Sequence, residues 1–195
     1  MAIPIKPGDI ILINNWAGGF LSSAIRFFTK SWSHSAIGFY RLASNVLPPI
    51  QTIFEASTTV HVTDWARVYN DENLDLRVYR WTKPMPVEPI LQKVFESYNG
   101  NTYGIFQVLW FVWRWVIEKL HLPKRWARKN FFPNHEICSE VVYVGLKELN
   151  NPIVNIALAK LNRDQNTVHV GDIMFICDEL VKMGILEQVY NRQRI

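Results

Sequence analysis

Cysteine is scarce in this chain, which carries two among 195 residues, Cys138 and Cys177. Two thiols in a chain of this length do not build a disulfide framework, so the sequence does not describe a small disulfide-stapled domain. We expect both cysteines to be free thiols, which suits a reducing compartment. Charge is also sparse, at 19% of residues, while hydrophobic residues make up 49%. That balance excludes a disordered chain and predicts a single domain with a buried core.

Long hydrophobic runs are missing as well. The most apolar stretch, residues 105–117, is interrupted by Gln107 and Arg114. It falls short of the roughly 20 apolar residues that a membrane-spanning helix needs. Residues 1–9 lack the basic segment and apolar run of a secretory signal. We therefore expect no transmembrane span and no signal peptide. The expected location is the cytoplasm, or else the sequence leaves the location undefined.

The segment Trp110–Lys129 has the most unusual composition of the chain. Tryptophans and basic residues alternate in it: Trp110, Trp113, Trp115, Trp126, Lys119, Lys124, Arg125, Arg128 and Lys129. The composition is compatible with a buried helix, with an element at the surface of an anionic membrane, or with a protein-binding surface. The net charge of +4 favours an anionic partner without naming one. We do not expect nucleic acid, because no nucleic-acid-binding motif accompanies these residues.

Hydrophobic periodicity predicts an α+β protein in which strands come first and helices follow. Residues 1–83 are strand-rich, residues 84–161 are helix-rich, and the apolar run 168–177 predicts a closing strand. Strands are predicted at 10–13, 33–40, 52–56, 59–63 and 74–81, and helices at 20–30, 87–98, 103–120, from 138 onward and at 152–161. We expect one domain over residues 1–195, with a small antiparallel sheet or half-barrel packed on a helical layer.

Cys138 stands where a proline-containing segment gives way to an amphipathic helical pattern. A cysteine in the first turn of a helix lies near free backbone N–H groups and the positive end of the helix dipole, and both favour thiolate over thiol. This is the setting of a nucleophile. His135 precedes Cys138 by three residues, but one such pair is too weak a pattern to predict a zinc site. We expect no metal and no cofactor.

A nucleophilic cysteine needs an imidazole and a third polar group that orients the ring. His34 lies in a predicted strand, where alternation places His34 and Ala36 on one face and Ser35 on the other. Glu55 lies in the middle of the next predicted strand, where a carboxylate is unexpected unless it is paired. A neighbouring strand is a suitable place from which to bind His34. His61 is the alternative orienting group if Glu55 points away, and otherwise a structural or exposed residue.

Short motifs occur along the chain in the order of a known family. They are Gly8-Asp9-Ile10-Ile11, Ser33-His34-Ser35-Ala36-Ile37-Gly38, Ile53-Phe54-Glu55-Ala56 and Ile137-Cys138-Ser139-Glu140-Val141-Val142. On these residues the chain resembles the circularly permuted papain-like cysteine hydrolases of the NlpC/P60 superfamily. The nearest resemblance is to the YiiX/YaeF-like branch, and the lecithin:retinol acyltransferase-like proteins are more distant. In that group the histidine strand comes first, the orienting residue follows on the next strand, and the cysteine helix comes late.

The resemblance implies that Cys138 is the nucleophile, His34 the general base and acid, and Glu55 the orienting group. It implies thiol-dependent hydrolysis of amide bonds, first of all in cell-wall peptides or related acyl substrates, in a protein of bacterial or phage origin. The backbone N–H of Cys138 would supply one donor of an oxyanion hole.

The substrate is less defined than the chemistry. Trp16 follows the first predicted strand and is expected to line the cleft, with Ser33 and Ser139 beside the catalytic residues. One alternative is a lipid or lipoprotein acyl hydrolase or acyltransferase at a membrane surface, which the segment Trp110–Lys129 favours. Another is a non-catalytic structural or binding module that retains the fold. The expected partner is a peptide or acyl substrate, with membrane or protein contact through Trp110–Lys129.

Overall fold

One antiparallel sheet of six strands organises the computed structural model, which describes residues 3–17, 23, 26–27, 32–41, 50–56, 59–100, 138–162 and 168–193. The strands are β1 Ile10–Asn15, β2 His34–Arg41, β3 Ile50–Ala56, β4 Val60–Asp64, β5 Leu74–Trp81 and β6 Leu186–Arg192. Their order across the sheet is β4-β3-β2-β1-β5-β6. Strand β2 therefore lies inside the sheet, with β1 on one side and β3 on the other.

Helices account for most of the remaining described residues, so the protein is α+β as predicted. The helices are α1 Trp65–Asn70, α2 Glu88–Tyr98, α3 Cys138–Glu148, α4 Pro152–Leu161 and α5 Val170–Lys182. Asp64 caps α1, because its carboxylate accepts a hydrogen bond from the Ala66 N–H at 2.9 Å. The predicted strands before residue 83 and the predicted helices at 87–98, 138 onward and 152–161 are confirmed within a few residues at their ends.

The predicted helix at 103–120 and the segment Trp110–Lys129 lie outside the described residues. So does the predicted helix at 20–30, apart from residues 23, 26 and 27, which are helical. No helix in the described part of the chain combines the length and the apolar character needed to cross a bilayer.

The predicted closing strand at 168–177 is wrong, because this segment forms helix α5. Its β-branched and apolar residues resemble a buried strand, but a capping box at His169 and Asp172 starts a helix instead. The His169 side chain accepts from the Asp172 N–H, and the Asp172 carboxylate accepts from the His169 N–H at 3.0 Å. The buried residues Ile173, Ile176 and Leu180 then follow helical spacing. The closing strand is β6, where the sequence predicts no element.

The sheet buries apolar side chains on both faces. On one face Ile11, Ile53 and Leu76 pack with Trp65 of α1. The other face carries residues such as Leu12, Ile37 and Phe54, which form a larger cluster with the buried residues of α2, α3, α4 and α5. Alternation along each strand separates the two sets. The helical layer thus covers one face of the sheet, and α3 brings Cys138 to it.

The N-terminal segment is fastened to β2 at Gly38. The Gly38 N–H donates to the Asp9 carbonyl at 2.7 Å, and the Gly8 N–H donates to the Gly38 carbonyl at 2.9 Å. A Cβ added at Gly38 would lie 2.3 Å from the carbonyl oxygen of Lys6, so only glycine permits this approach of two backbones. The buried Asp9 carboxylate in turn pairs with Arg80 at 2.7 Å.

Candidate active site

Helix α3 packs closely on β2, and this contact brings Cys138 to the strand. A Cβ added at Gly145 would lie 2.8 Å from Ile37 Cδ1, so a glycine in the helix allows the close approach. Cys138 is the first residue of α3 and is 2% exposed, within the cluster that also holds Leu12 and Ile37. The thiol is therefore held against the sheet face at the end where β2 begins.

His34, the first residue of β2, is paired with Glu55 of β3. The distance from His34 Nε2 to Glu55 Oε2 is 2.6 Å. Glu55 lies directly opposite Ala36 in the β2–β3 register, and Ala36 shares a face with His34, so the two side chains are diagonal neighbours. Because an ionised carboxylate only accepts hydrogen bonds, Nε2 carries a proton and donates it. Nδ1 is then the ring nitrogen left to interact with the thiol.

Cys138 and His34 stabilise each other's charged forms. Burial alone would raise the pKa of the Cys138 thiol, but the charge of His34 and hydrogen bonds from His34 and Ser35 outweigh it and lower that pKa. Burial would likewise lower the pKa of His34, but the Cys138 thiolate, and after it Glu55, raise it. The electrostatics therefore favour a thiolate and an imidazolium in the resting protein.

Ser35 is a further polar neighbour of the sulfur. Its backbone N–H and its hydroxyl both lower the pKa of Cys138. The β2–β3 pairing begins one residue later, with Ala36 opposite Glu55, so Ser35 lies just outside that ladder. Its hydroxyl is buried and has no partner within hydrogen-bond geometry in the described part of the chain. Both groups therefore favour the thiolate form of Cys138.

Glu55 is held as a carboxylate by neighbours on both sides. Thr63 Oγ1 donates to Glu55 Oε1 at 2.5 Å, and His61 Nε2 lies 3.8 Å from the same oxygen. Burial raises the pKa of Glu55, but the hydrogen bond and charge of His34 lower it, followed by the hydrogen bond of Thr63 and the charge of His61. The net effect lowers this pKa to about 2. Glu55, and not His61, is thus the group that contacts His34.

Two of the predicted substrate-binding residues use their hydroxyls within the fold. The buried Ser33 hydroxyl donates to the Ile13 carbonyl at 3.2 Å and accepts from the Asn15 N–H at 3.0 Å. The fully buried Ser139 hydroxyl donates to the Val168 carbonyl at 2.8 Å. Ser33 therefore fastens the end of β1 beside His34, and Ser139 fastens α3 to the segment before α5. The structure does not bring the Ser139 hydroxyl to the predicted catalytic residues.

Trp16 differs from the two serines because half of its surface is exposed. Its indole N–H donates to Asp75 Oδ2 at 2.7 Å, and the Arg26 guanidinium lies 4.7 Å from its ring centroid. These contacts fix the ring just beyond the end of β1. Trp16 is 50% exposed, so it keeps surface available for contact with another molecule.

Two polar neighbours in the site, Ser35 and Thr63, are not predicted from the sequence. Alternation alone placed Ser35 on the face opposite His34. Ser35 and His34 nevertheless both contact Cys138, because His34 is the first residue of its strand and its ring lies at the end of the sheet. Thr63 had a usable signal: it follows His61 by two residues, so both side chains share one face of β4. His135 lies outside the described residues.

The comparisons with known proteins add no relative. No protein-family model matches this chain, and a search of the curated proteins also found no match. Among the described residues, no group of three or more histidines, cysteines and carboxylates is arranged to hold a metal ion. The candidate site is therefore defined by its own geometry.

Proposed function

We propose that this protein is a thiol-dependent hydrolase with a Cys138–His34–Glu55 triad, of the circularly permuted papain-like type in the NlpC/P60 superfamily. The observation that carries the proposal is the unbroken polar chain from Cys138 through His34 to Glu55. Each member favours the charged form of the next. A buried thiol with no catalytic role has no need of such partners.

In the first half of the reaction, the Cys138 thiolate attacks the carbonyl carbon of an amide. The carbonyl π electrons move to oxygen, and the backbone N–H of Cys138 is the proposed donor to that oxyanion. As the carbonyl re-forms, the C–N bond breaks and the leaving nitrogen takes the proton from the His34 imidazolium. The products are a free amine, a thioester on Cys138 and a neutral His34.

In the second half, water replaces the amine. Neutral His34 removes a proton from the water as its oxygen attacks the thioester carbonyl. Collapse of that intermediate breaks the C–S bond, releases the carboxylic acid and returns the thiolate beside a protonated His34. Glu55 keeps the imidazole oriented in both halves, because its contact with Nε2 at 2.6 Å leaves Nδ1 as the ring nitrogen that serves the sulfur.

Peptide amides, with cell-wall peptides first, are the proposed substrate class, on the resemblance of the motifs around His34, Glu55 and Cys138. The alternative is an acyl hydrolase or acyltransferase that works on lipids or lipoproteins at a membrane surface. The aromatic and basic composition of Trp110–Lys129 supports that alternative. Parallel assays on a peptide amide and on a fatty-acyl ester in anionic vesicles separate the two.

Acylation of the nucleophile by para-nitrophenyl acetate tests the proposal. We expect a burst of nitrophenolate and one acetyl group on Cys138, detected by intact and peptide mass spectrometry. Cys138→Ala should abolish the burst, while the matched control Cys177→Ala should retain it. A burst that survives in Cys138→Ala would refute the mechanism. Absence of any burst in the wild-type protein would favour a non-catalytic module that retains the fold.

A further inference from the structure

The polar chain of the active site does not end at Glu55. Strand β4 continues it, because its register places His61 directly opposite Glu55 and Thr63 opposite Ile53. Thr63 Oγ1 lies 2.5 Å from Glu55 Oε1 and 3.1 Å from His61 Nε2. His61 Nδ1 lies 2.8 Å from the Thr59 carbonyl oxygen. The chain thus runs from Cys138 across the sheet to its edge strand β4.

The donors and acceptors in this chain have a defined direction. The Thr59 carbonyl can only accept, so Nδ1 of His61 carries a proton. The ionised Glu55 carboxylate can also only accept, so the single hydroxyl proton of Thr63 points to Glu55. His61 Nε2 then faces the Thr63 oxygen and donates to it when the ring is doubly protonated. In the neutral ring, Nε2 competes with Glu55 for the Thr63 proton.

The two oxygens of Glu55 therefore have separate partners. Oε2 accepts from His34 at 2.6 Å, and Oε1 accepts from Thr63 at 2.5 Å. Rotation of the carboxylate would break both bonds at once. Thr63 thus holds Glu55 in the orientation that binds His34 Nε2, in the way that outer partners orient the ligands of a reactive centre.

The outer end of the polar chain is more exposed than its inner members. The Glu55 side chain is 12% exposed and that of His34 is 17% exposed, whereas that of His61 is 37% exposed. Thr63 therefore lies between an inner carboxylate and an imidazole that reaches solvent. Its hydroxyl is in a position to transmit the state of His61 to Glu55.

We propose that Thr63 and His61 are positioning residues of this site. Thr63 fixes the Glu55 carboxylate, and His61 sets the direction of the Thr63 hydroxyl. This inference rests on the proposed function, because it extends the same triad by two members. Neither residue contacts the reacting sulfur in this arrangement, and their effect on Cys138 is exerted through Glu55 and His34.

The test is the pH profile of Cys138 alkylation by iodoacetamide, which needs no substrate. Thr63→Val keeps the shape of the side chain and removes the hydroxyl. We expect its profile to shift to higher pH, so that the rate below the midpoint falls about threefold to tenfold. Thr63→Ser should restore the wild-type profile, because it returns the hydroxyl. Thr63→Ala replaces Thr63→Val if the valine variant fails to fold.

His61→Phe tests the order of the residues in this polar chain, in which Thr63 lies between Glu55 and His61. It leaves the bond from Thr63 to Glu55 in place, so we expect a smaller shift than that of Thr63→Val. A larger shift would overturn the proposed order. A Thr63→Val profile that overlays the wild type would overturn the inference as a whole.

His34→Ala in the same series separates this inference from the proposed function. If His34→Ala shifts the profile and Thr63→Val does not, the positioning role fails and the triad stands. If neither variant shifts it, the triad fails together with its extension.

Discussion

The two cysteines of this chain are both buried, but their surroundings shift the thiol pKa in opposite directions. Cys138 is 2% exposed and Cys177 is fully buried. At Cys138 the charge of His34 outweighs burial and lowers the thiol pKa. At Cys177 burial comes first, the charge of Asp178 adds to it, and the pKa rises well above its usual value although Arg77 opposes the change.

The two thiol pKa values shift in opposite directions because the polar partners differ, and not because one thiol is more deeply buried. Cys177 lies in the middle of α5 among Ile173, Ile176 and Leu180, where the helix directs its own N–H groups into internal hydrogen bonds. Cys138 lies at the start of α3 and meets Ser35 and an imidazole held by a carboxylate. Cys177 is a small apolar side chain of the core, whereas the partners of Cys138 favour the loss of its thiol proton.

Of the substitutions that test this comparison, His34→Ala should change the reactivity of Cys138 the most. Removing the imidazole removes the main cause of the lowered pKa at Cys138 while its burial remains. We expect the rate of Cys138 alkylation at about pH 6 to fall about a hundredfold, because each pKa unit is worth a factor of ten in thiolate below the midpoint. Peptide mass spectrometry against time gives the rate for each cysteine. A rate within about twofold of the wild-type rate would contradict the ion pair between Cys138 and His34.

Glu55→Gln should have an intermediate effect. The amide keeps the shape and can still accept from His34 Nε2, but it lacks the charge that stabilises the imidazolium. We expect the Cys138 alkylation profile to move toward higher pH, with a loss of about tenfold in rate at about pH 6. Glu187→Gln, at an exposed glutamate of β6, is the matched control, and an effect there equal to that of Glu55→Gln would argue against Glu55 as the orienting group.

Ser35→Ala should have a smaller effect, since it removes the hydroxyl and keeps the backbone N–H that also donates to Cys138. We expect a loss of about threefold in the alkylation rate, in line with one hydrogen bond of modest net strength. Ser33→Ala tests the specificity of the effect, because the Ser33 hydroxyl bonds to β1 and not to the sulfur. An equal loss in both variants would indicate a general loosening of β2.

The smallest effect on reactivity should come from Cys177→Ala. We expect an unchanged Cys138 profile and a loss of about 1 to 2 kcal/mol in the free energy of unfolding, because a small buried side chain is truncated. Urea denaturation measures the stability, and alkylation of the same variant measures the reactivity. A change in the Cys138 profile would reveal a coupling between the two thiols that their separate surroundings do not predict.

Much of this comparison could be predicted from local sequence. The helix that begins at Cys138, the strand carrying His34 and the strand carrying Glu55 follow from periodicity and capping, and antiparallel neighbours bring polar groups together. Around Cys177 the sequence predicts a strand, because apolar and β-branched residues fill the segment, whereas the structure has helix α5 there. The capping box at His169 and Asp172 was the signal that distinguished the two.

The remaining features depend on register, which the sequence does not display. Thr63 meets Glu55 only because β4 pairs with β3 so that His61 lies opposite Glu55. Ser35 meets Cys138 only because α3 packs on β2 at a particular position, which Gly145 permits. Both contacts join distant parts of the chain, and local periodicity carries no information about such offsets.

The most direct test of the account compares both cysteines in one sample of the folded wild-type protein. Alkylation rates from about pH 5 to about pH 9 bracket the pKa of about 8.5 of a free thiol. We predict that Cys138 reacts with a midpoint well below that value and that Cys177 stays unmodified until the protein is unfolded. Matching profiles at the two cysteines, or an ordinary midpoint at Cys138, would contradict it.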